Sequence, residues 1–399
     1  MHKSMELLFS RKFFQFPLNK TVAVNSNSWV RTPAWDIFWF HSGIWLTLLM
    51  LLVNSLPVQE MFYAAAVFLF WISHRFSSFY LAWGTRAYRP LCRKQLNRFV
   101  ILPVLLGLAV FAVLFIPEDI LPVPLPERIL CLLLIDFAWG VHHFAAQHYG
   151  ILRLYHHRWN PESVPSAKKQ DRIFCWGVGG ALVIIAELLH GTSYLQEKQI
   201  LTMLLPNWGL EEISLLQRFG TLFVIGITIF MIRNAWLQDS GLPRIMYILG
   251  VGLMVVAAFQ LDPFQFLMLW TLQHWMVALG LAAHMGGNDV HQGYKNRTVF
   301  VKKSSEKPFL KPWLVLLFLC AFSVIMTPIF EIEAVSVGGR YSEQFFPAFM
   351  GWLQNSEWYT FLVGIGLASG FLHYWMDRSV YRFSDLETRK SAQQLLFAL

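Results

Sequence analysis

Apolar runs of about twenty residues recur along the chain, separated by short polar or charged segments, and this alternation is its strongest local signal. Runs near 34–56, 61–83, 98–117, 129–152, 173–190, 212–232, 243–261, 262–284, 311–330 and 356–378 are each long enough for a helix to cross a hydrocarbon layer ~30 Å thick. The pattern predicts an all-α, polytopic membrane bundle of about ten transmembrane helices. It divides the chain into an N-terminal cytoplasmic or interfacial tail over 1–30, a single transmembrane domain over 31–380 and a cytoplasmic C-terminal tail over 381–399. Phe13, Phe14 and Phe16 would anchor the first tail at the interface.

Charge adds an orientation. Basic segments, such as 84–98 (Arg86, Arg89, Arg93, Lys94, Arg98) and 285–311 (Lys295, Arg297, Lys302, Lys303, Lys307, Lys311), alternate with short or acidic ones such as 117–127 and 191–211. Positive residues gather on cytoplasmic loops, so both termini are expected in the cytoplasm of a multi-pass protein, most simply in a bacterial inner membrane. The same asymmetry accounts for the formal net charge of +8, and nucleic acid is not an expected partner. No removable signal peptide is evident in the first 30 residues. Cys92, Cys131, Cys175 and Cys320 are far apart and read as packing residues.

Histidine changes the picture. Imidazole loses hydration in hydrocarbon unless partnered, so intramembrane ionisable residues mark functional sites. With the topology above, His41, His74, His148, His284 and His373 lie towards the cytoplasmic side, while His142, His143 and His274 lie near mid-membrane. His190 falls on the outer side. The densest segment is the fourth, where Asp136, His143 and Gln147 lie within about 40° of one another on a helical wheel. His142 and His148 point elsewhere, so one mononuclear centre cannot readily take all three imidazoles. Either two adjacent metals or a supporting role for one ring resolves this. In the tenth run Ser369, His373 and Asp377 recur at i, i+4 and i+8, and in the second His74 shares a face with Ser77 and Ser78. His156, His157 and His291 read as solvated residues of basic loops.

The expected metal ligands are therefore His41, His74, His142, His143, His148, His274, His284, His373 and Asp377, with Asp136, Gln147 and Tyr149 as catalytic or orienting groups. Imidazole with carboxylate and no cysteine suits non-haem iron, as one or two ions. Such a centre would use dioxygen and an electron donor to oxidise, desaturate or cleave a lipophilic small molecule among membrane lipids. Four alternatives stay open. The polar groups can be interhelical hydrogen-bonding partners, paired imidazoles can hold haem, another transition metal can take the site, or a proton- or metal-coupled transporter can use the same residues.

Histidines on the first two helices, the segment WGVHHFAAQHYG in the fourth, and the later QHW and HYWMD segments resemble the Brp/Blh group of membrane carotenoid-cleaving iron oxygenases. The resemblance covers scattered helices. It implies an integral membrane iron oxygenase with histidine ligands and an isoprenoid-like substrate. SHRFSSFY departs from the glycine-rich context of that group's second-helix histidine, and the chain has more helices.

Overall fold

The helix 263–297 has no single apolar face, and its membrane-length stretch is buried within the molecule on nearly every side. In its most apolar window 89% of positions are buried, against 22% in Leu125–Trp159 or Glu211–Leu237. The computed structural model describes residues 28–53, 59–159, 165–197, 210–297, 310–330 and 341–397, and every regular element among them is helical. The expected N-terminal tail with its three phenylalanines lies outside the described residues.

In chain order the helices are α1 (Pro33–Trp39), α2 (Ser42–Val53), α3 (59–84), α4 (Arg89–Lys94), α5 (Asn97–Phe115), α6 (Leu125–Trp159), α7 (165–197), α8 (Leu210–Leu237), α9 (Leu242–Ala258), α10 (Pro263–Arg297), α11 (Leu310–Phe330), α12 (Tyr341–Phe345), α13 (Pro347–Gln354), α14 (Tyr359–Val380) and α15 (Leu386–Phe397). Six of them, α5, α6, α7, α8, α10 and α11, are long and apolar enough to cross a membrane. The count becomes seven if α1 and α2, bent by 50° at their junction, form one span. Three further expected spans are helical but outside this set. In α3 the polar run His74, Arg75, Ser77 and Ser78 dilutes the apolar surface, in α14 His373, Asp377 and Arg378 do so, and α9 has only 17 residues.

Leucines and isoleucines such as Leu105, Leu108, Leu134, Leu222, Leu317 and Ile325 stand exposed on the outside of the bundle. A water-facing surface rarely carries so many large apolar groups together, whereas a lipid-facing one requires them. The long helices, this surface and the inward polar residues make the chain an integral membrane protein.

Two expectations about loops change. The segment from 153, expected as a loop, begins as helix: α6 runs on to Trp159, so His156 is buried and its Nδ1 accepts from Arg244 at 2.9 Å. Arg244 also donates to Asp171 at 2.7 Å. The region 381–399 carries α15, whose Leu395 and Leu396 are buried against the bundle.

Candidate metal centre

Four helices that are far apart in sequence, α3, α6, α10 and α14, each turn one histidine to a common point. His74, His143, His274 and His373 are all buried. Their ring centres form a closed circuit: His74 to His373 is 4.7 Å, His373 to His143 5.1 Å, His143 to His274 4.9 Å and His274 to His74 5.1 Å. His274 and His373 face each other across the circuit at 6.2 Å. The rings border a cavity of about 140 Å³ with Arg75, Asp136 and Tyr374 also on its wall.

Hydrogen bonds fix which nitrogen each ring presents. His74 Nδ1 lies 2.6 Å from the Trp71 carbonyl and His373 Nδ1 2.9 Å from the Gly370 carbonyl. A carbonyl oxygen only accepts, so each Nδ1 carries the proton and each neutral ring keeps a lone pair on Nε2. These two Nε2 atoms are 3.2 Å apart. Two lone pairs at that distance repel unless a cation lies between them. His274 Nδ1 meets Gln147 Oε1, while Gln147 Nε2 donates back to the His274 carbonyl at 3.4 Å, so this ring too presents Nε2. The ligand-capable atoms of His74, His274 and His373 lie within 4.8 Å of one another.

Asp377, one turn beyond His373, brings a carboxylate to the fourth ring. Its Oδ2 is 3.1 Å from His143 Nε2, an ion-pair distance off the direct hydrogen-bond line, and Ser78 Oγ donates to its Oδ1. His143, His373 and Asp377 form a second group with ligand atoms within 4.8 Å, but His373 has one lone pair and cannot serve both groups at once. The neighbouring charge is Arg75, whose guanidinium donates to the Gly366 carbonyl at 3.1 Å and to Ser369 Oγ at 2.6 Å and rests 4.8 Å from the Trp71 ring centre. Gly370 makes this approach possible. A Cβ there would stand 2.9 Å from Asp136 Oδ1 and 3.6 Å from Arg75 NH2.

This donor set fits a first-row transition ion. Nitrogen ligands at about 2.1 Å from an ion put ring centres roughly 3.2 Å from it, and so about 5 Å from their neighbours. The observed circuit has that size. Haem fits poorly, because a macrocycle must separate its axial rings and the rings here are in mutual edge contact.

Of the expected site residues, the structure brings together His74, His143, His274, His373 and Asp377, with Asp136 on the cavity wall and Gln147 behind His274. It does not bring in the others. His142, about 100° round the helix from His143, is exposed and accepts from Trp176 Nε1 at 3.3 Å. Tyr149 packs on the same Trp176 at 5.5 Å. His148 lies behind Phe144, with Nδ1 2.8 Å from the Tyr247 hydroxyl. His41 stacks on Tyr155, whose hydroxyl donates to Asp36 at 3.0 Å. His284 has both nitrogens engaged, Nε2 with the Leu396 carbonyl at 3.0 Å and Nδ1 with Arg31 at 3.4 Å.

Sequence reading missed Tyr374, whose ring centre is 4.3 Å from that of His373, and the tryptophans Trp71, Trp270 and Trp275 around the cavity. Adjacency to His373 was the only available signal for Tyr374. The tryptophans are indistinguishable in sequence from interfacial or packing aromatics. Comparison with protein-family models, with curated proteins and with solved structures returns no match.

Proposed function

We propose that this protein is an integral membrane metalloenzyme in which His74, His274 and His373 hold one non-haem iron ion, with His143 and Asp377 beside it. The reaction class is dioxygen-dependent oxidation, desaturation or cleavage of a lipophilic substrate. The observation that carries it is the convergence of Nε2 lone pairs whose tautomers are set by Trp71, Gly370 and Gln147 from behind. Interhelical hydrogen bonding alone would pair a donor with an acceptor, not two acceptors 3.2 Å apart.

Iron would supply redox chemistry with dioxygen at this point. The chain's own residues do the rest: Gln147 and the two backbone carbonyls orient the imidazoles, the tryptophans exclude water, and Arg75 with Asp136 gives the cavity a polar wall. Outer partners of this kind fix ring orientation and raise ligand basicity. A redox enzyme of this class also needs an electron donor. The resemblance to the Brp/Blh group agrees with this reading in its histidine-based iron chemistry. Counting the helices α3, α9 and α14 with the bent pair and the six long spans would give ten crossings. The alternation of basic segments supports a reading with both termini and the basic loops on the cytoplasmic side, as in a bacterial inner membrane.

The test is metal analysis of purified protein with oxygen uptake. We expect about one iron per chain, lost in His74→Ala with His373→Ala, and oxygen uptake stimulated by a lipophilic substrate pool. Occupancy should fall on acidification, because protons compete with the metal for the imidazole lone pairs. Gradient-driven solute uptake by metal-free protein would instead establish a transporter.

A further inference from the structure

The helices α6 and α14 change partners along their length. Their first parts pack with α5 and α13 in an apolar cluster of their own, built on residues such as Val110, Leu132, Met350, Leu353 and Leu367. Their later parts join the main core, through Phe144 and Met376 among others. The first parts of α3 and α10 belong to the main core, with Tyr63, Val67 and Phe266, and among the described residues they make no extensive contact with the first parts of α6 and α14. The two groups thus part in this half of the molecule and rejoin at the histidine cavity. Trp139 marks the join, its ring 5.8 Å from Phe371 in the smaller cluster and 5.8 Å from Tyr374 on the cavity wall. Farther out, α12 and α13 bridge the groups: Phe345 and Phe346 pack on Phe68 of α3 at 5.6 Å and 6.3 Å, while Met350 and Leu353 pack in the smaller cluster. This bridge roofs the parting, and the flank of α6 beside it carries exposed Leu130, Leu134 and Phe137, a surface suited to lipid.

Resting on the metal-centre reading, we propose that this parting admits a single alkyl chain from the bilayer, end first, and that the terminal carbons of the chain are the part of the substrate that enters the histidine cavity. The cavity wall is divided as an entrance requires. Its four histidines, Trp270 and Trp275 are buried, whereas Trp71, Gly140, Thr271 and Tyr374 are partly exposed and frame a mouth. Gly140 presents no side chain there, and Thr271 donates its hydroxyl proton to the Leu267 carbonyl of its own helix at 2.7 Å. Depth fits a chain end. At 1.5 Å per residue, Thr271 lies about 12 Å from the start of α10 and Gly140 about 22 Å from the start of α6, so the mouth falls near the middle of a hydrocarbon layer ~30 Å thick, where lipid chains end. Size fits as well. An apolar cavity of ~150 Å³ takes up benzene, so the 140 Å³ here has room for roughly five carbons. A polycyclic end or a whole lipid exceeds that volume, whereas the tip of one chain enters and the rest stays in the apolar parting.

Photolabelling of the full-length protein in digitonin, a detergent without an alkyl chain, tests this. The probes are two long-chain alkyl methyl ethers, one with a diazirine at the tail end and one with it beside the ether oxygen, each followed by peptide mapping. The tail-end probe should label the peptides containing 136–144 and 270–275, and the other probe should not. Unlabelled ether of equal length should displace the label, while the same ether ending in an adamantyl cage should not. Thr271→Phe, which obstructs the mouth, should cut labelling about tenfold with iron content unchanged, and Thr271→Val should label as the parent does. Gly140→Ala, whose added carbon would stand 3.1 Å from the Tyr374 hydroxyl, narrows the same mouth should the phenylalanine impair folding. Equal cavity labelling by both probes, displacement by the caged ether, label elsewhere, or full labelling in both obstructed variants would overturn the proposal. Displaceable cavity labelling of a protein that binds no metal would remove the iron reading and leave the chain site standing. Stoichiometric iron with label that no ether displaces would remove the chain site alone.

Discussion

Gln147 is the side chain whose replacement separates a metal site from a merely polar one. Its carbonyl oxygen takes the Nδ1 proton of His274, and its amide donates back to the His274 backbone. Gln147→Leu removes the acceptor that holds the tautomer and should weaken iron affinity about 10- to 100-fold, whereas Gln147→Glu keeps an acceptor there and should retain most of it. Titration with a competing chelator measures both. The opposite outcome is expected at His284. Its nitrogens already serve Leu396 and Arg31, so His284→Ala should keep full metal content while loosening the C-terminal helix. Equal metal loss in His284→Ala and His373→Ala would mean that the cluster responds to general destabilisation.

Among the elements, α15 and α10 give independent checks of the packing around the centre. Asp385 caps α15, accepting from the Thr388 N–H and hydroxyl, both at 2.8 Å, and these bonds hold its carboxyl below the ordinary carboxylate range. Glu387 is held low as well, by its pairing with Lys94. A depressed carboxylate stabilises the docked helix above its unfolded-state pKa of roughly 4 and loses that contribution as pH falls through the lower folded value. Hydrogen exchange of α15 should therefore accelerate below about pH 4, and Asp385→Ala should cost about 1 kcal/mol at neutral pH. In α10, a Cβ on Gly280 would stand 2.5 Å from Trp39 Cβ. That atom is rooted in the α1 backbone and cannot swing aside, so Gly280→Ala should destabilise by about 1–3 kcal/mol in thermal unfolding. The π-helical turn over Val67–Trp71, immediately before His74, adds a residue to the ladder and changes which side of α3 the following residues face. No sequence periodicity shows such a turn.

At the scale of the whole molecule, the helical class was legible because apolar runs of membrane length leave few alternatives, and the outward leucines follow from the same pattern. The site was legible in part. Depth along each helix put His143 and His274 near mid-membrane and His74 and His373 towards the cytoplasmic side, and the wheel angle separated His142 from His143. Depth also admitted His41, His148 and His284, because rotation of one helix against another is set by packing that sequence does not display: Phe144 screens His148, and the Leu396 carbonyl claims His284. The closing of four imidazoles into one circuit is a tertiary fact. X-ray absorption spectroscopy of the iron-loaded protein tests it most directly. The account requires one iron per chain with nitrogen neighbours near 2.1 Å and the outer-shell scattering of three imidazole rings, reduced by one ring in His274→Ala. A porphyrin signature, an iron with no imidazole scattering, or a spectrum unchanged in His274→Ala would contradict it.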